Sequence, residues 1–270
     1  MKIYTLGTSH GDSTVCRFNS STAYETADGN IYLVDAGAPV EALLRRKALH
    51  IKDVRAVFVT HMHDDHAGGL SGLIKQATRY ASTRNTPFTV HLPEENAIFA
   101  LKGWVNALHE RADHKVMEYK TVTDGAVYED DNLTVTAIRT CHLRTKGRNE
   151  GDPCSFAYVL RFKKDNYTVL HTGDLLGNLA DFPKIAFEQE FDLCLCEATH
   201  YPPELAVPIF QKAKFKKMIF IHVNDPWHNR VTVHWKFENN EKLLLSHYTS
   251  VPYPIVVAHD GDEFDTRFIR

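Results

Sequence analysis

The chain has 270 residues, of which 43% are hydrophobic and 24% charged, values typical of a globular protein with a substantial core. Its 31 basic and 34 acidic residues give a net charge of −3, which argues against a protein whose whole surface binds nucleic acid. No apolar run approaches the roughly 20 residues of a membrane span, and the five cysteines are too sparse for a disulfide framework, so we expect a cytoplasmic protein without membrane segments.

Short β-rich runs alternate with helical runs along the chain, without a linker or an internal repeat. The predicted strands are Met1–Leu6, Ser13–Phe18, Ile31–Val34, Ala56–Val59, Thr89–Leu92, Val116–Tyr119, Leu133–Ile138, Cys154–Phe162, Tyr167–His171, Phe191–Cys196, Met218–Ile221 and Ile255–Ala258. The predicted helices are Pro39–Leu49, Gly69–Ala77, Pro93–Asn106 and Pro203–Lys212. Two β-rich halves, each with a few helices, favour two packed sheets covered by helices. We therefore predict one α/β domain over residues 1–270.

The densest group of chemically reactive side chains directly follows the predicted strand Ala56–Val59. Histidine is frequent in the whole chain, with 16 residues, and the segment His61–His66 contains three histidines and two aspartates. Imidazoles bind zinc, iron and manganese, and a carboxylate neutralises part of the charge of the cations, so this loop can supply ligands to two adjacent ions. The candidate ligands are His61, His63, Asp65 and His66.

This loop resembles the His-x-His-x-Asp-His signature of the metallo-β-lactamase superfamily. Three further segments match the superfamily in the same order along the chain: Leu33-Val34-Asp35-Ala36-Gly37, Thr140-Cys141-His142 and His171-Thr172-Gly173-Asp174. The resemblance implies a four-layer αββα sandwich of two mixed sheets between helices. It also implies that Asp35 supports the ligand loop, that His142 is the third histidine ligand and that Asp174 bridges two ions.

Other segments resemble the RNase Z-like phosphodiesterase branch of the superfamily. Leu6-Gly7-Thr8-Ser9, with Arg17 after it, resembles the opening of these enzymes, and Glu197-Ala198-Thr199 resembles their His-Glu-Ala-Thr motif, with Cys196 in place of the histidine. His222 and His259 both follow predicted strands near the positions of the catalytic histidine and the last metal ligand of that branch.

The resemblance leaves two assignments for these two histidines. In the favoured one, Glu197 and His222 form a proton-transfer pair and His259 binds metal. In the other, which applies if the Glu-Ala-Thr match is accidental, His222 is the last ligand and His259 is an ordinary strand-end residue. His171 is expected to pack beside the site, and His200 has no matched role.

The favoured assignment implies a hydrolase in which two divalent ions (zinc, or alternatively manganese or iron) activate water against a small or cyclic phosphodiester. One ion is assigned to His61, His63 and His142 and the other to Asp65, His66 and His259, with Asp174 bridging them. The catalytic residues are then Asp65, His222 and Glu197. The cationic residues Arg144, Lys146 and Arg148 follow His142 and are candidates for binding phosphate oxygens.

The resemblance also bears on the partners of the chain. The stretch between His142 and Asp174 is too short for the arm with which tRNA-processing members grip tRNA, so we do not expect a large tRNA partner. The segment 224–254 is a candidate cap or homodimer contact. Two other functions stay open: a lactonase or thioesterase, which needs no Glu–His pair, and a metal-binding sensor without catalysis.

Overall fold

The computed structural model describes residues 1–11, 14, 16–83, 86–143, 153–223 and 241–268. The first sheet they form consists, in spatial order, of β14 (Asp262–Asp265), β1 (Lys2–Gly7), β2 (Ser21–Glu25), β3 (Ile31–Val34), β4 (Val54–Phe58), β5 (Phe88–Leu92) and β6 (Met117–Thr121). The second consists of β13 (Ile255–Val257), β12 (Met218–Ile221), β11 (Leu193–Glu197), β10 (Tyr167–His171), β9 (Ser155–Phe162), β8 (Leu133–Thr140) and β7 (Gly125–Glu129).

Helices cover these sheets. They are α1 (Val40–Arg46), α2 (Asp64–Ala67), α3 (Leu70–Arg79), α4 (Glu95–Ala107), α5 (Ile185–Glu188) and α6 (Pro203–Phe210), with short 3₁₀ turns at Ile51–Asp53 and Ala81–Thr83. None of the helices in the described part of the chain is both long and apolar enough to span a bilayer.

One apolar core lies between the two sheets. Tyr24 and Phe58 of the first sheet and Tyr158 and Leu195 of the second are fully buried in it, and the rings of Phe58 and Tyr158 lie 5.8 Å apart. Burial of each such side chain contributes about 1.5–3 kcal/mol to the free energy of unfolding. A second core fills the space between the first sheet and α1 and α3, where Leu43 is buried. The prediction of two packed sheets flanked by helices is therefore confirmed.

Each sheet contains a run of parallel strands, and the ends of these strands determine where the candidate functional residues lie. β3, β4, β5 and β6 are parallel to one another, as are β10, β11, β12 and β13. The carboxyl ends of parallel strands meet at one edge of a sheet, and side chains that follow those ends project into a common space.

The predicted strand Ser13–Phe18 is wrong for the residues that the structure describes there, because residues 16–18 are not in a strand. The buried Arg17 instead donates hydrogen bonds to Thr8 and to the carbonyl oxygen of Ala258, 2.6 Å away. The second strand starts only at Ser21. The sequence also gave no prediction for β7 and β14, because both lie at sheet edges and lack a continuous apolar run.

His91, on β5, is a histidine buried beside the inter-sheet core. Its ring lies 4.7 Å from the ring of Phe58 and 5.6 Å from that of Tyr128, and neither ring nitrogen has a hydrogen-bond partner among the described residues. Burial, with a smaller contribution from the charge of Lys120, lowers the pKa of His91 to about 3. The ring is therefore neutral in the folded protein at pH 7.

We expect this histidine to make the protein less stable in acid. Below about pH 6.5 the unfolded chain binds a proton at His91 while the folded chain does not, so the free energy of unfolding falls as the pH drops towards 3, by up to ~1.4 kcal/mol per pH unit. In urea titrations between pH 4 and 7, His91→Leu should remove this part of the slope, whereas the exposed control His247→Leu should keep it. Equal slopes in the two variants would contradict a neutral, buried His91.

Candidate metal centre

Loops that follow strands of both sheets converge at one edge of the sandwich. The side chains that they bring there are Asp35 after β3, His61, His63, Asp65 and His66 after β4, His142 after β8, Asp174 after β10, Glu197 at the end of β11 and His222 after β12. These residues include six of the seven metal ligands predicted from the sequence; the seventh, His259, is placed elsewhere.

One group of possible ligand atoms is formed by His61, His63, His142 and Asp174, whose donor atoms lie within 4.8 Å of one another. His61 Nε2 is 2.9 Å from His63 Nδ1. Asp174 Oδ2 is 3.7 Å from His61 Nε2 and 3.6 Å from His142 Nε2. His61 is fully buried, His63 is exposed and His142 is partly buried, so this group opens towards solvent.

A second group of possible ligand atoms is formed by Asp65, His66 and His222, all three buried. Asp65 Oδ2 lies 3.2 Å from His66 Nε2 and 3.1 Å from His222 Nε2. Asp174 Oδ2 is 3.5 Å from each of these imidazole nitrogens. The same carboxylate oxygen therefore stands between the two groups.

The distances between these donor atoms fit metal coordination better than hydrogen bonding. Most exceed the usual N–H···O range, whereas a tetrahedral site with metal–ligand bonds of about 2.0–2.2 Å has edges of roughly 3.3–3.6 Å. Among the described residues, Asp174 Oδ1 and His66 Nε2 are buried without a hydrogen-bond partner. Buried polar atoms normally have partners, and a cation would satisfy both. The residues present thus fit a site for metal ions.

The protonation states of Asp174 and His61 also favour metal binding. Although burial alone would raise it, the nearby imidazoles of His222 and His66 hold the pKa of Asp174 well below its usual range. Burial, together with the neighbouring His66, lowers the pKa of His61 well below that of a free histidine. A carboxylate and a neutral imidazole are the protonation states that bind metal.

Asp35 holds the ligand loop from behind. Its Oδ2 is 2.7 Å from His66 Nδ1, and its Oδ1 accepts a hydrogen bond of 2.7 Å from the amide of Thr60. Because Nδ1 of His66 is occupied in this way, Nε2 is the nitrogen that faces the other donors. Gly37 is required beside it, since a Cβ there would lie 2.1 Å from the carbonyl oxygen of Asp65.

We expect Asp35→Asn to weaken metal binding by about 10–100-fold, because the amide cannot fix the His66 ring as the carboxylate does. Competition with a chromophoric chelator measures the change. Asp113→Asn, which alters an exposed carboxylate paired with Lys102, is the matched control and should bind metal like the wild type. Equal affinity of the Asp35 and Asp113 variants would show that Asp35 does not support the site.

His200, for which the sequence predicts no role, lies beside both groups and forms a third set of possible ligand atoms with Asp174 and His222. Its Nδ1 is 3.0 Å from Glu197 Oε1, its ring is stacked on that of His222 at 5.3 Å, and it meets the His142 ring edge-on at 4.6 Å. Although burial opposes it, the hydrogen bond and charge of Glu197 raise the pKa of His200. The sequence feature that indicates His200 is a histidine directly after Glu-Ala-Thr, because the turn after β11 brings residue 200 back over Glu197.

The Glu197 carboxylate is itself held rigidly. It is buried, and it accepts backbone hydrogen bonds from Leu175 at 3.0 Å, Thr199 at 2.8 Å and His200 at 2.9 Å. The structure thus brings Glu197 to His200 and not to His222, the partner that the sequence predicted for it. His222 instead points Nε2 at Asp65 and Asp174.

His259 lies apart from both groups of ligand atoms. Its side chain is 43% exposed, and its Nε2 is 3.1 Å from Glu241 Oε2. The structure therefore does not place His259, predicted from the sequence as a metal ligand, beside the other donors. β13 is the edge strand of its sheet, and the chain leaves it towards β14 of the other sheet, so residue 259 lies where the chain crosses between sheets. β12 lies one strand further in, and its end faces the centre.

The other features predicted from the sequence either make defined contacts in the structure or lie outside the described residues. Asp260 accepts hydrogen bonds of 2.9 and 2.7 Å from the amide and hydroxyl of Thr8, so the N-terminal Gly-Thr-Ser motif ties the two chain ends together. His171 packs with its Nδ1 3.0 Å from the hydroxyl of Tyr24. Arg144, Lys146 and Arg148 lie outside the described residues, as does the part 224–240 of the predicted cap.

Comparisons with known proteins show which families this chain resembles. A family model described as Anti-Pycsar protein Apyc1 matches residues 1–200 of the 270. Ribonuclease Z of Pseudomonas putida (strain GB-1) is 35% identical over 146 residues, which are 53% of this chain and 44% of the relative. The chain thus covers less than half the length of the curated relatives that it matches.

Solved structures resemble the whole described fold. The metallo-β-lactamase fold protein YhfI from Bacillus subtilis aligns with a TM-score of 0.72 at 18% identity, over 97% of this chain and 98% of that one. The short form of human tRNase Z aligns with a TM-score of 0.70 at 18% identity, over 98% and 99%. At these identities the structural likeness shows the fold alone. With the curated matches, it confirms the metallo-β-lactamase sandwich and the resemblance to the RNase Z-like branch.

Proposed function

The chain belongs to the family described as Anti-Pycsar protein Apyc1, and from its metal centre we propose that it is a metal-dependent hydrolase of a small or cyclic phosphodiester. The observation that carries the proposal is one carboxylate oxygen, Asp174 Oδ2, standing within 3.7 Å of four imidazole nitrogens from two groups of ligands. A carboxylate shared in this way is the arrangement expected of a two-metal site.

We assign one cation to His61, His63 and His142 and the other to Asp65, His66 and His222, with Asp174 between them. Zinc suits the histidine-rich donor set, and manganese or iron are alternatives. Two cations so bound supply an activated water molecule and stabilise negative charge on phosphoryl oxygens.

The chain itself supplies the proton for the leaving group. His200 Nδ1 is bonded to Glu197, so Nε2 is the atom left to donate a proton to the departing oxygen. An alkoxide is a poor leaving group and needs such a proton, whereas the thiolate of a thioester does not. The Glu197–His200 pair therefore favours a substrate with an alkoxide leaving group, such as a phosphodiester, over a thioester.

Two further observations favour a small substrate over an RNA. Most of the chain between His142 and Asp174 that the structure describes is used by β9 and β10 as members of the second sheet. The net charge of −3 gives no general attraction for a polyanion. We also propose a cytoplasmic location for this protein.

A substrate panel tests this function. Metal-loaded protein is assayed with bis(p-nitrophenyl) phosphate, cyclic nucleotides, a thioester, a lactone and a precursor tRNA with a 3′ extension. We expect turnover of the first two. Turnover of only the carbonyl substrates would indicate a lactonase or thioesterase, turnover of only the RNA would indicate a processing ribonuclease, and bound metal without any turnover would indicate a sensor.

A further inference from the structure

Two cysteines directly adjoin the paired ends of β8 and β9 at the metal centre, Cys141 after β8 and Cys154 before β9. The antiparallel register between these strands runs without a shift from Leu133 opposite Phe162 to Thr140 opposite Ser155. The next pair of opposite positions is therefore Cys141 and Cys154. Both are partly exposed thiols, and Cys141 directly precedes the candidate ligand His142.

The hydrogen bonds between β8 and β9 show whether Cys141 and Cys154 form a hydrogen-bonded or a non-hydrogen-bonded pair. The amide of Lys163 donates to the carbonyl oxygen of Asn132 at 2.8 Å, so these opposite residues form a hydrogen-bonded pair. Hydrogen-bonded and non-hydrogen-bonded pairs alternate along an antiparallel ladder. The positions of Cys141 and Cys154 lie nine residues further along the same unshifted register from Asn132 and Lys163. They therefore form a non-hydrogen-bonded pair, the type in which opposite side chains are closest.

The backbone amides of the two cysteines agree with this pair type. The amide of Cys141 donates to Asp181 Oδ2 at 2.7 Å, and the amide of Cys154 donates to Glu94 Oε1 at 3.1 Å. Each amide is therefore directed away from the opposite strand, as a non-hydrogen-bonded pair requires.

Both cysteines belong to the same face of the sheet. Cys154 packs against the inter-sheet core beside Phe156 of β9, and Ala137 of β8 lies in that core too. Side chains alternate between faces, so position 141, four residues after Ala137, shares this face. Opposite Cα atoms of such a pair are about 4.5 Å apart, within the roughly 4.4–6.8 Å that a disulfide spans.

We propose that Cys141 and Cys154 are a redox modification site, which forms a reversible cross-strand disulfide by exchange with a low-molecular-weight disulfide. One cysteine loses its proton and attacks a sulfur of the small disulfide, whose S–S bond breaks and whose released half takes up a proton as a thiol. The second cysteine then attacks the mixed disulfide, forms the Cys141–Cys154 bond and releases the other half. The two cysteines are oxidised, and the small disulfide is reduced to two thiols.

The consequence for activity rests on the proposed function. Opposite Cβ atoms are about 4.5–5.5 Å apart in a ladder but roughly 3.8 Å apart in a disulfide. Closing the bond therefore draws Cys141 inwards and moves His142, its neighbour, relative to Asp174. Since a displacement of about 1 Å near reacting groups can cost about 100-fold in rate, oxidation reduces phosphodiester hydrolysis at least tenfold, and a reductant restores it.

The experiment exposes the metal-loaded protein to oxidised glutathione and follows intact mass, linked peptides, metal content and hydrolysis. We expect loss of two hydrogen masses, a peptide linking residues 141 and 154, unchanged metal content and reversible loss of activity. Cys154→Ser and Cys141→Ser should keep the activity of the reduced protein within about twofold and should be insensitive to oxidation. Cys16→Ser, at an exposed cysteine, should behave like the wild type.

The outcomes separate this proposal from the proposed function. Stable glutathione adducts without a 141–154 link, or a link involving another cysteine, would overturn the modification site. A correct link with full activity would overturn its effect on His142. If the reduced protein hydrolyses none of the substrates, the proposed function fails, while peptide mapping still decides the disulfide.

Discussion

Asp174→Asn should lower phosphodiester hydrolysis by at least about 10³-fold, the largest effect that we expect of any single substitution. The carboxylate stands between both groups of ligands, with its Oδ2 3.5–3.7 Å from His61, His66, His142 and His222. An asparagine keeps the shape but loses the negative charge, and its amide group cannot bridge two cations. Elemental analysis should show fewer than two bound ions per chain, alongside the loss of turnover.

Asp64→Asn is the matched control for this substitution. Asp64 lies in the same ligand loop, but its side chain is exposed and belongs to neither group of donor atoms among the described residues. We expect wild-type metal content and turnover. An Asp174 variant that keeps two ions and more than about a tenth of the activity would contradict a bridging role.

His200→Ala should have the second largest effect, and its size should depend on the leaving group. For a cyclic nucleotide, whose leaving alkoxide needs a proton, we expect a loss of about 10²–10⁴-fold in kcat. For bis(p-nitrophenyl) phosphate, whose nitrophenolate leaves without help, the loss should be less than about tenfold. Glu197→Gln should show the same pattern more weakly, since Glu197 acts through its hydrogen bond to His200.

His247→Ala is the control, because His247 is exposed and its side chain belongs to neither group of donor atoms in the described chain. Metal content separates the roles of the two histidines that stack on each other. His200→Ala should keep both ions, whereas His222→Ala should lose the ion assigned to the second group. Equal losses on both substrates, accompanied by loss of metal, would show that His200 is a ligand and not a proton donor.

Sequence predicts well those parts of this site that are local. The loop His61–His66 follows a strand directly, so its spacing alone brings the donors together. Asp35, His142 and Asp174 are identified by the resemblance to the superfamily motifs, and each follows a strand whose end lies at this edge. The structure brings all of them to one place, and the sandwich itself follows from alternating β-rich and amphipathic runs.

The assignments that sequence leaves open depend on the tertiary arrangement. His222 and His259 both follow short apolar strands, and only the order of strands in the sheet shows that β12 ends at the centre while β13 is at the edge. The resemblance to the His-Glu-Ala-Thr motif pairs Glu197 with a distant histidine and gives no role to His200, its neighbour in the same turn. The turn geometry brings its Nδ1 within 3.0 Å of that carboxylate.

We propose that the described donors hold two cations, with His222 and not His259 as the last ligand. An anomalous difference map from crystals of the metal-loaded protein tests it most directly. We predict two peaks about 3.5–4 Å apart on either side of Asp174, one of them within bonding distance of His222 Nε2. A single peak, or a second ion bound through His259, would contradict the account.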